Sequence, residues 1–142
     1  MSNSEKNLKQ AFAGESQANR KYSAFAAKAD KEDFAQASRL FRAAAAAEEV
    51  HAVNHLRALK AIKSTRENLQ VAISGEDEEW ESMYPEMIKT AQAEGNKAAE
   101  TSFHYANEVE KIHSRLYKNL LSSLDSGLDG FEEADFEVKG FR

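Results

Sequence analysis

The chain has 142 residues, a formal net charge of -5 and no cysteine. A domain of this length can bury roughly two thirds of the surface that its unfolded chain exposes, so it can hold a core without covalent cross-links. The lack of cysteine excludes a disulfide framework, a thiolate metal site and a catalytic thiol, and it leaves oxygen and imidazole donors as the ligands for any metal.

The charge and apolar patterns argue against membrane and nucleic-acid partners. No apolar run approaches the ~20 residues that span a bilayer, and residues 1–6 lack the apolar stretch of a signal peptide, so we expect a cytoplasmic location. Residues 125–142 carry six acidic and two basic residues, a net charge of -4, which leaves -1 for the rest of the chain. Neither part resembles a nucleic-acid-binding surface.

Helix-forming residues dominate the chain, which contains one proline and six glycines. Apolar side chains recur at steps of three and four residues, the spacing that lines one face of an α-helix, and strand-like alternation is not evident. The pattern predicts an all-α fold with helices over about residues 4–29, 33–62, 65–94 and from Gly95 to 124. Ser4 is expected to cap the first helix, and Gly95 to end the third.

The third helix is the least regular because Pro85 lies inside it. Proline removes a helical hydrogen bond and clashes with the preceding turn, so we expect a kink near Pro85. The motif Ser64-x-x-Glu67 is typical of a capping box and supports a start near residue 65. A rival interpretation starts the helix at Pro85 and leaves the preceding glutamates on a loop.

An internal repeat favours the longer third helix. A shift of 61 positions superimposes Glu15 on Glu76, and a shift of 62 superimposes Glu48 and His51 on Glu110 and His113. The repeat predicts one domain over residues 1–124, made of two helical hairpins of one design, 1–62 and 63–124. A different, acidic C-terminal tail follows over 125–142. A duplicated hairpin makes a pseudo-symmetric site with two equivalent halves.

Each Glu-x-x-His motif lies on the apolar seam of its helix. Positions i and i+3 of a helix share one face about 5 Å apart, so the motif directs a carboxylate and an imidazole at one metal ion. The alternative is a satisfied core histidine, the commoner role of a histidine on an apolar face. Two copies related by the repeat, at Glu48 and His51 and at Glu110 and His113, favour the metal.

Four glutamates occupy or adjoin seam positions that should be buried: Glu15, Glu48, Glu76 and Glu110. Isolated buried carboxylates are costly, and the seams offer no lysine or arginine at these levels, so a metal compensates them better than a purely structural polar core would. Glu79, at i+3 from Glu76, adds a seventh ligand. Two histidines with five carboxylates suit two six-coordinate ions with bridging glutamates. This donor set is the pattern of di-iron and di-manganese bundles. Manganese or zinc can also occupy such a site, because ligand type discriminates poorly among these ions.

Two tyrosines, Tyr22 and Tyr84, follow the ligands Glu15 and Glu76 at similar spacing. Each can hydrogen-bond the nearby carboxylate and so orient it, or it can simply fill the core. Both interpretations stay open at the level of the sequence.

Four sets of residues match a known family: Phe12-Ala13-Gly14-Glu15-Ser16-Gln17-Ala18, the two Glu-x-x-His motifs, Gly75-Glu76-x-x-Glu79 and Met83-Tyr84-Pro85. On these motifs the chain resembles rubrerythrins over about residues 4–124. The resemblance implies a ferritin-like four-helix bundle that holds a centre of two iron ions.

The resemblance also implies a role for each ligand. Glu48 and Glu110 would bridge the two irons, and Glu15 and Glu76 would be terminal ligands. His113 would bind one iron, while the other iron would exchange Glu79 for His51 as its redox state changes. We therefore expect Glu79, His51, Tyr22 and Tyr84 to be the residues closest to catalysis.

In that family the di-iron centre reduces hydrogen peroxide to water, and the resemblance implies the same activity here. A typical rubrerythrin continues into a rubredoxin domain that holds one iron with four cysteines, whereas residues 136–142 contain none. The chain thus looks like a short type that uses an external electron donor, such as a separate rubredoxin. Two alternatives stay open: an iron-oxidising or iron-handling protein that uses oxygen, and a non-catalytic metal-binding bundle.

The short connection between the second and third helices predicts the assembly. In ferritin-like bundles these helices run parallel, which requires a connection that spans the bundle. Two or three residues reach about 10 Å, whereas a helix of about 28 residues is about 42 Å long. We therefore expect a domain-swapped homodimer, in which residues 1–62 of one chain pack with 63–124 of the other. An up-down-up-down monomer with short turns is the alternative.

Overall fold

A computed structural model describes residues 1–125, and all the regular structure within them is helical, which confirms the predicted all-α fold. The elements in chain order are α1 (Asn3–Lys31), α2 (Ala35–Ala58), α3 (Thr65–Glu78), a π-helical segment (Glu79–Met83), α4 (Tyr84–Ala93) and α5 (Lys97–Asp125). The predicted acidic tail, from residue 126 on, lies outside the described residues. None of the described helices is both long enough and apolar enough to cross a bilayer.

The chain divides into two compact units at residue 63. In the first unit, α1 and α2 pack along each other as a helical hairpin. In the second unit, α3, the π-helical segment and α4 pack in turn along α5. One long helix with a π-helical turn in it therefore lies against one regular α-helix. Each unit is therefore a helical hairpin.

Serine side chains cap the starts of α1 and α3. Ser64 accepts a hydrogen bond from the backbone N–H of Glu67, and the Glu67 carboxylate accepts one from the backbone N–H of Ser64, which confirms the predicted capping box. The predicted cap of the first helix is wrong by two residues. Ser2, not Ser4, accepts from the backbone N–H of Glu5, because Ser4 already has helical backbone angles within α1.

Three helices end on a residue with left-handed backbone angles: Asp33 (φ 61°), Lys60 (φ 53°) and Gly95 (φ 68°). In each case the next backbone N–H reaches back to a carbonyl five residues earlier, as from Phe34 to Ala29 at 2.9 Å. This closure satisfies carbonyls that the helix end leaves open. Gly95 ends the third helix as predicted, whereas α2 ends at Ala58, four residues before the predicted limit.

The predicted third helix, which corresponds to α3, the π-helical segment and α4, is continuous at the predicted kink, because a π turn accommodates Pro85. Pro85 has no N–H to donate, and its ring would clash with the carbonyl four residues earlier. The backbone N–H of Tyr84 donates instead to the carbonyl of Glu79, five residues back, which widens this turn. Glu76 and Glu79 are thus both helical, and the rival interpretation that put them on a loop is wrong.

Small side chains form the buried core of the first unit: Ala26, Ala29, Ala45 and Ala52. They allow a close approach of α1 and α2, and the buried Asn19 on α1 donates a hydrogen bond of 2.7 Å to the Ala45 carbonyl on α2. This hydrogen bond fixes the register of the two helices. Glu15 is one turn from Asn19 and Glu48 is one turn from Ala45, so the same register places Glu15 opposite Glu48.

Large apolar side chains are left exposed on both units. The first unit exposes Phe34, Leu40 and Val50, and the second exposes Val71 and Tyr105, each by more than half. No large side chain among residues 1–125 is fully buried. Because exposed apolar area of this extent marks an interaction surface, neither hairpin completes its own core.

The left-handed residue Asp33 provides a test of this chain reversal. We expect Asp33→Gly to raise the free energy of unfolding by about 0.5–1 kcal/mol, because glycine adopts positive φ without a Cβ penalty. The neighbouring Glu32→Gly is the matched control, and it should lower stability by a similar amount, since Glu32 has φ -103°. Urea unfolding followed by circular dichroism measures both, and a loss of stability in Asp33→Gly would contradict the described turn.

Candidate metal centre

The first unit brings together Glu15 from α1 and Glu48 and His51 from α2. One ligand atom from each lies within 4.8 Å of the other two. Nδ1 of His51 is 2.9 Å from Oε2 of Glu48, as expected for residues three apart on a helix. The two carboxylates are half-buried, whereas the His51 side chain is 54% exposed. We call this group the first half-site.

The second unit brings together Glu76 from α3 and Glu110 and His113 from α5, with ligand atoms again within 4.8 Å of one another. Nδ1 of His113 is 2.7 Å from Oε2 of Glu110 and 3.5 Å from Oε2 of Glu76. All three side chains are about one fifth exposed. This second half-site repeats the chemistry of the first but holds its histidine more tightly.

Glu76 shows the electrostatic cost of the second half-site. Burial raises the pKa of its carboxyl to about 7, with further contributions from the hydrogen bond that its protonated form makes with Glu110 and from the charges of Glu110 and Glu79. The positive charge of His113 opposes the shift only in part. Two carboxylates this close cannot both stay ionised cheaply unless a cation joins them.

Glu79 and Tyr84 flank the second half-site, at the start and just after the end of the π-helical segment. Burial raises the pKa of the Tyr84 phenol, and the carboxylates of Glu79, Glu110 and Glu76 raise it further. Both residues are therefore within electrostatic reach of the ligands, although Glu79 is not in the close group of three. The widened turn begins at Glu79, whose own backbone N–H still bonds to the Gly75 carbonyl as in a regular α-helix, so the turn changes the direction of the residues that follow Glu79. Its role as a ligand stays a prediction.

Tyr22 lies in an aromatic cluster of the first unit. Its ring is 6.2 Å from that of Phe41 and 6.3 Å from that of Phe25. Within residues 1–125, neither Tyr22 nor Tyr84 makes a hydrogen bond to Glu15 or Glu76. The core interpretation therefore accounts for Tyr22 without a ligand contact, and an orienting role for either tyrosine stays a prediction.

The donors of both half-sites fit a metal of the iron, manganese or zinc type. Carboxylate and imidazole together suit these ions, and each half-site supplies two carboxylates and one imidazole. Oε2 of Glu76 is buried and accepts no hydrogen bond from any residue of the described range. A buried carboxylate oxygen without a donor is costly, and a cation satisfies it directly.

Sequence reasoning missed Asp77, which follows the proposed ligand Glu76 and, like it, contacts α5. Its Oδ1 accepts hydrogen bonds from Ser114 at 2.5 Å, Lys118 at 2.8 Å and the Trp80 indole N–H at 3.1 Å. These donors hold the pKa of Asp77 at about 2. The only sequence signal was the i, i+4 spacing of Ser114 and Lys118, which is too common to single out a site.

This chain is similar in sequence to several known proteins. The family model described as Rubrerythrin matches residues 6–121. The rubrerythrin of Porphyromonas gingivalis is 38% identical over 89% of this chain and 70% of its own length. Rubrerythrin-2 of Clostridium acetobutylicum is 37% identical over 86% of this chain and 74% of its own. A solved structure of mixed-valence nigerythrin is 33% identical, covers 89% of this chain and 69% of its own, and has a TM-score of 0.45.

The raised pKa of Glu76 predicts how the stability of the metal-free protein depends on pH. Because this pKa is about 7 in the folded chain and near 4.5 when unfolded, the group's favourable contribution is complete below about pH 4.5. It is lost as the pH rises through about 7, by on the order of 1–2 kcal/mol after screening by solvent.

Glu76→Gln should remove this loss, because the amide cannot ionise. The exposed neighbour Glu78→Gln is the control and should keep it. Urea unfolding of the metal-free variants at about pH 5 and about pH 8 measures the difference. An unchanged pH dependence in Glu76→Gln would contradict the buried contact between Glu76 and Glu110.

Proposed function

This chain belongs to the rubrerythrin family of ferritin-like di-iron proteins, and from that premise we propose that it is a non-haem di-iron peroxidase that reduces hydrogen peroxide to water. The observation that supports the proposal most is the pair of half-sites, one on each unit, with the same two carboxylates and one imidazole. Together with Glu79 they offer five carboxylates and two imidazoles, a donor set for two ions.

The proposed ligand set is Glu15, Glu48, His51, Glu76, Glu79, Glu110 and His113. Glu48 and Glu110 are the proposed bridges, and Glu15 and Glu76 the terminal ligands. His51 and Glu79 are the proposed exchanging pair. Exposure supports this difference: the His51 side chain is 54% exposed, against 21% for His113, so His51 has more freedom to approach or leave.

Peroxide reduction needs two electrons and two protons for each peroxide, and it yields two waters. When bound by these residues, a ferrous pair would supply both electrons together, which would avoid a one-electron radical product. The side chains handle the protons. The raised pKa of Tyr84 keeps its phenol protonated near neutral pH, so the phenol can act as a hydrogen-bond donor beside the site.

The electrons must then be replaced from outside these 142 residues. With no cysteine, the chain cannot form the four-cysteine iron site of a rubredoxin. We propose a separate one-electron donor protein, such as a rubredoxin. Iron oxidation by oxygen is the alternative function, and the test below separates the two.

The function is tested by anaerobic mixing of the diferrous protein with peroxide or with oxygen. We expect about two irons per four-helix site, and oxidation by peroxide on the order of tenfold faster than by oxygen, equivalent to about 1.4 kcal/mol in barrier. Glu79→Ala should slow the peroxide reaction, whereas the exposed neighbour Glu78→Ala should not. Equal rates with both oxidants would favour the iron-oxidising function, and no reaction with either would leave a metal-binding bundle.

We further propose that the complete site forms in a domain-swapped homodimer. Residues 59–64 between α2 and α3 reach about 20 Å at full extension, whereas the 24 residues of α2 are about 36 Å long. The connection is therefore too short to span a bundle in which α2 and α3 run parallel. The exposed apolar side chains on both units provide area for such a partner.

A complementation experiment tests the swap. Glu48→Ala chains refolded together with His113→Ala chains should bind metal at one of the two sites of each heterodimer, because in the swapped arrangement one site collects both defects. Glu48→Ala with Glu15→Ala is the control, since both changes affect the first hairpin and no intact site can form. Elemental analysis of the isolated heterodimer decides, and no recovery in the first pair would refute the swap.

A further inference from the structure

A groove on the second unit lies outside the proposed metal centre, between the π-helical segment and α5. It encloses about 480 Å³, and its main side chains are Trp80, Lys111, Arg115 and Lys118. We call it the Trp80 groove. Two of its residues directly follow proposed ligands in the sequence, Trp80 after Glu79 and Lys111 after Glu110. The groove is therefore formed by the same two elements that carry Glu79, Glu110 and His113.

The Trp80 groove reverses the charge of the chain. Three cations line it against one lining carboxylate, that of Glu108, whereas the whole chain has a net charge of -5. Asp77 neutralises Lys118 at 2.8 Å, but within residues 1–125 no carboxylate pairs with Arg115. A cationic surface on an acidic protein selects a negatively charged partner and raises its rate of encounter.

The groove is also preorganised. Asp77 accepts hydrogen bonds from the Trp80 indole, from Ser114 and from Lys118, so one carboxylate joins the π-helical segment to α5. Nζ of Lys111 lies 5.5 Å from the centre of the Trp80 ring, within the range of a cation–π contact. Trp80, Lys111 and Lys118 therefore have little side-chain freedom to lose on binding, as is typical of interface anchors.

We propose that the Trp80 groove is the docking surface for an acidic one-electron carrier protein that reduces the metal centre. The inference rests on the proposed peroxidase function, which requires such a donor. Two reduced carriers each give one electron and leave oxidised, and together they replace the two electrons that one peroxide consumes. Charge complementarity selects the partner, and the adjacency of Trp80 and Lys111 to proposed ligands gives the electrons a short covalent path.

Binding can be measured without any activity, because Trp80 is the only tryptophan. The metal-free, ¹⁵N-labelled chain is titrated with a zinc-substituted rubredoxin of net negative charge, which cannot transfer electrons. We expect the Trp80 indole N–H resonance to shift on binding. The affinity should fall about tenfold or more when salt is raised from about 0.02 M to about 0.2 M, because surface charges are screened over about 10 Å.

Two charge-matched double variants locate the surface. Lys111→Gln with Arg115→Gln should weaken binding about tenfold, whereas Lys6→Gln with Lys21→Gln, which removes the same charge from exposed positions on α1, should have little effect. In the iron-containing protein, Lys111→Gln with Arg115→Gln should slow reduction of the metal centre by reduced rubredoxin by a similar factor. The same double variant should leave the rate at which peroxide oxidises the chemically reduced protein unchanged.

These readouts separate the docking proposal from the proposed function. Failure of peroxide to oxidise the diferrous protein would overturn the function, while Trp80 could still report carrier binding. Normal peroxide oxidation with no Trp80 shift, or equal weakening by both double variants, would overturn the docking surface. The docking proposal would also be overturned if the double variant Glu132→Gln with Glu133→Gln shifted the Trp80 resonance in the absence of rubredoxin. That result would mean that the chain's own acidic residues occupy the groove.

Discussion

The repulsion between buried carboxylates is the constraint on which this structure depends. Glu76 and Glu110 face each other beside one imidazole, and burial together with the nearby Glu110 carboxylate raises the pKa of Glu76 to about 7, which His113 offsets only in part. A bound cation would remove this cost and displace the proton, so metal binding, proton release and helix packing would be coupled in the second unit. The first half-site has the same donors, but its histidine is more exposed.

Each unit by itself lacks part of a hydrophobic core and part of the proposed donor set. A hairpin with alanines at its centre brings its two helices close, but it has little apolar volume to bury and leaves large side chains such as Leu40 and Tyr105 exposed. The proposed metal ligands are also divided between the units, three on the first and four on the second, so neither unit alone has the donor set proposed for two ions. In the proposed dimer, one association supplies both the missing core and the missing ligands, so metal content and oligomeric state should change together.

The π turn brings residues of two different environments close together in the third helix. Glu79 and Tyr84 are within electrostatic reach of the ligands, while Trp80 donates a hydrogen bond to Asp77 and lines the groove beside α5. A regular helix containing Pro85 would have to break or bend here. The widened turn instead keeps the helix continuous, a geometry often found at functional sites.

The sequence by itself determined the all-α fold, the capping box at Ser64, the stop at Gly95 and the pairing of each glutamate with its histidine. These features are local, because helix periodicity and caps depend on residues three or four positions apart. Only the tertiary structure decided the π turn, the unequal exposure of His51 and His113, and the cluster around Asp77. Those features depend on how far apart two helices lie and which side chain from the other helix fills the space, and spacing along one helix contains no such information.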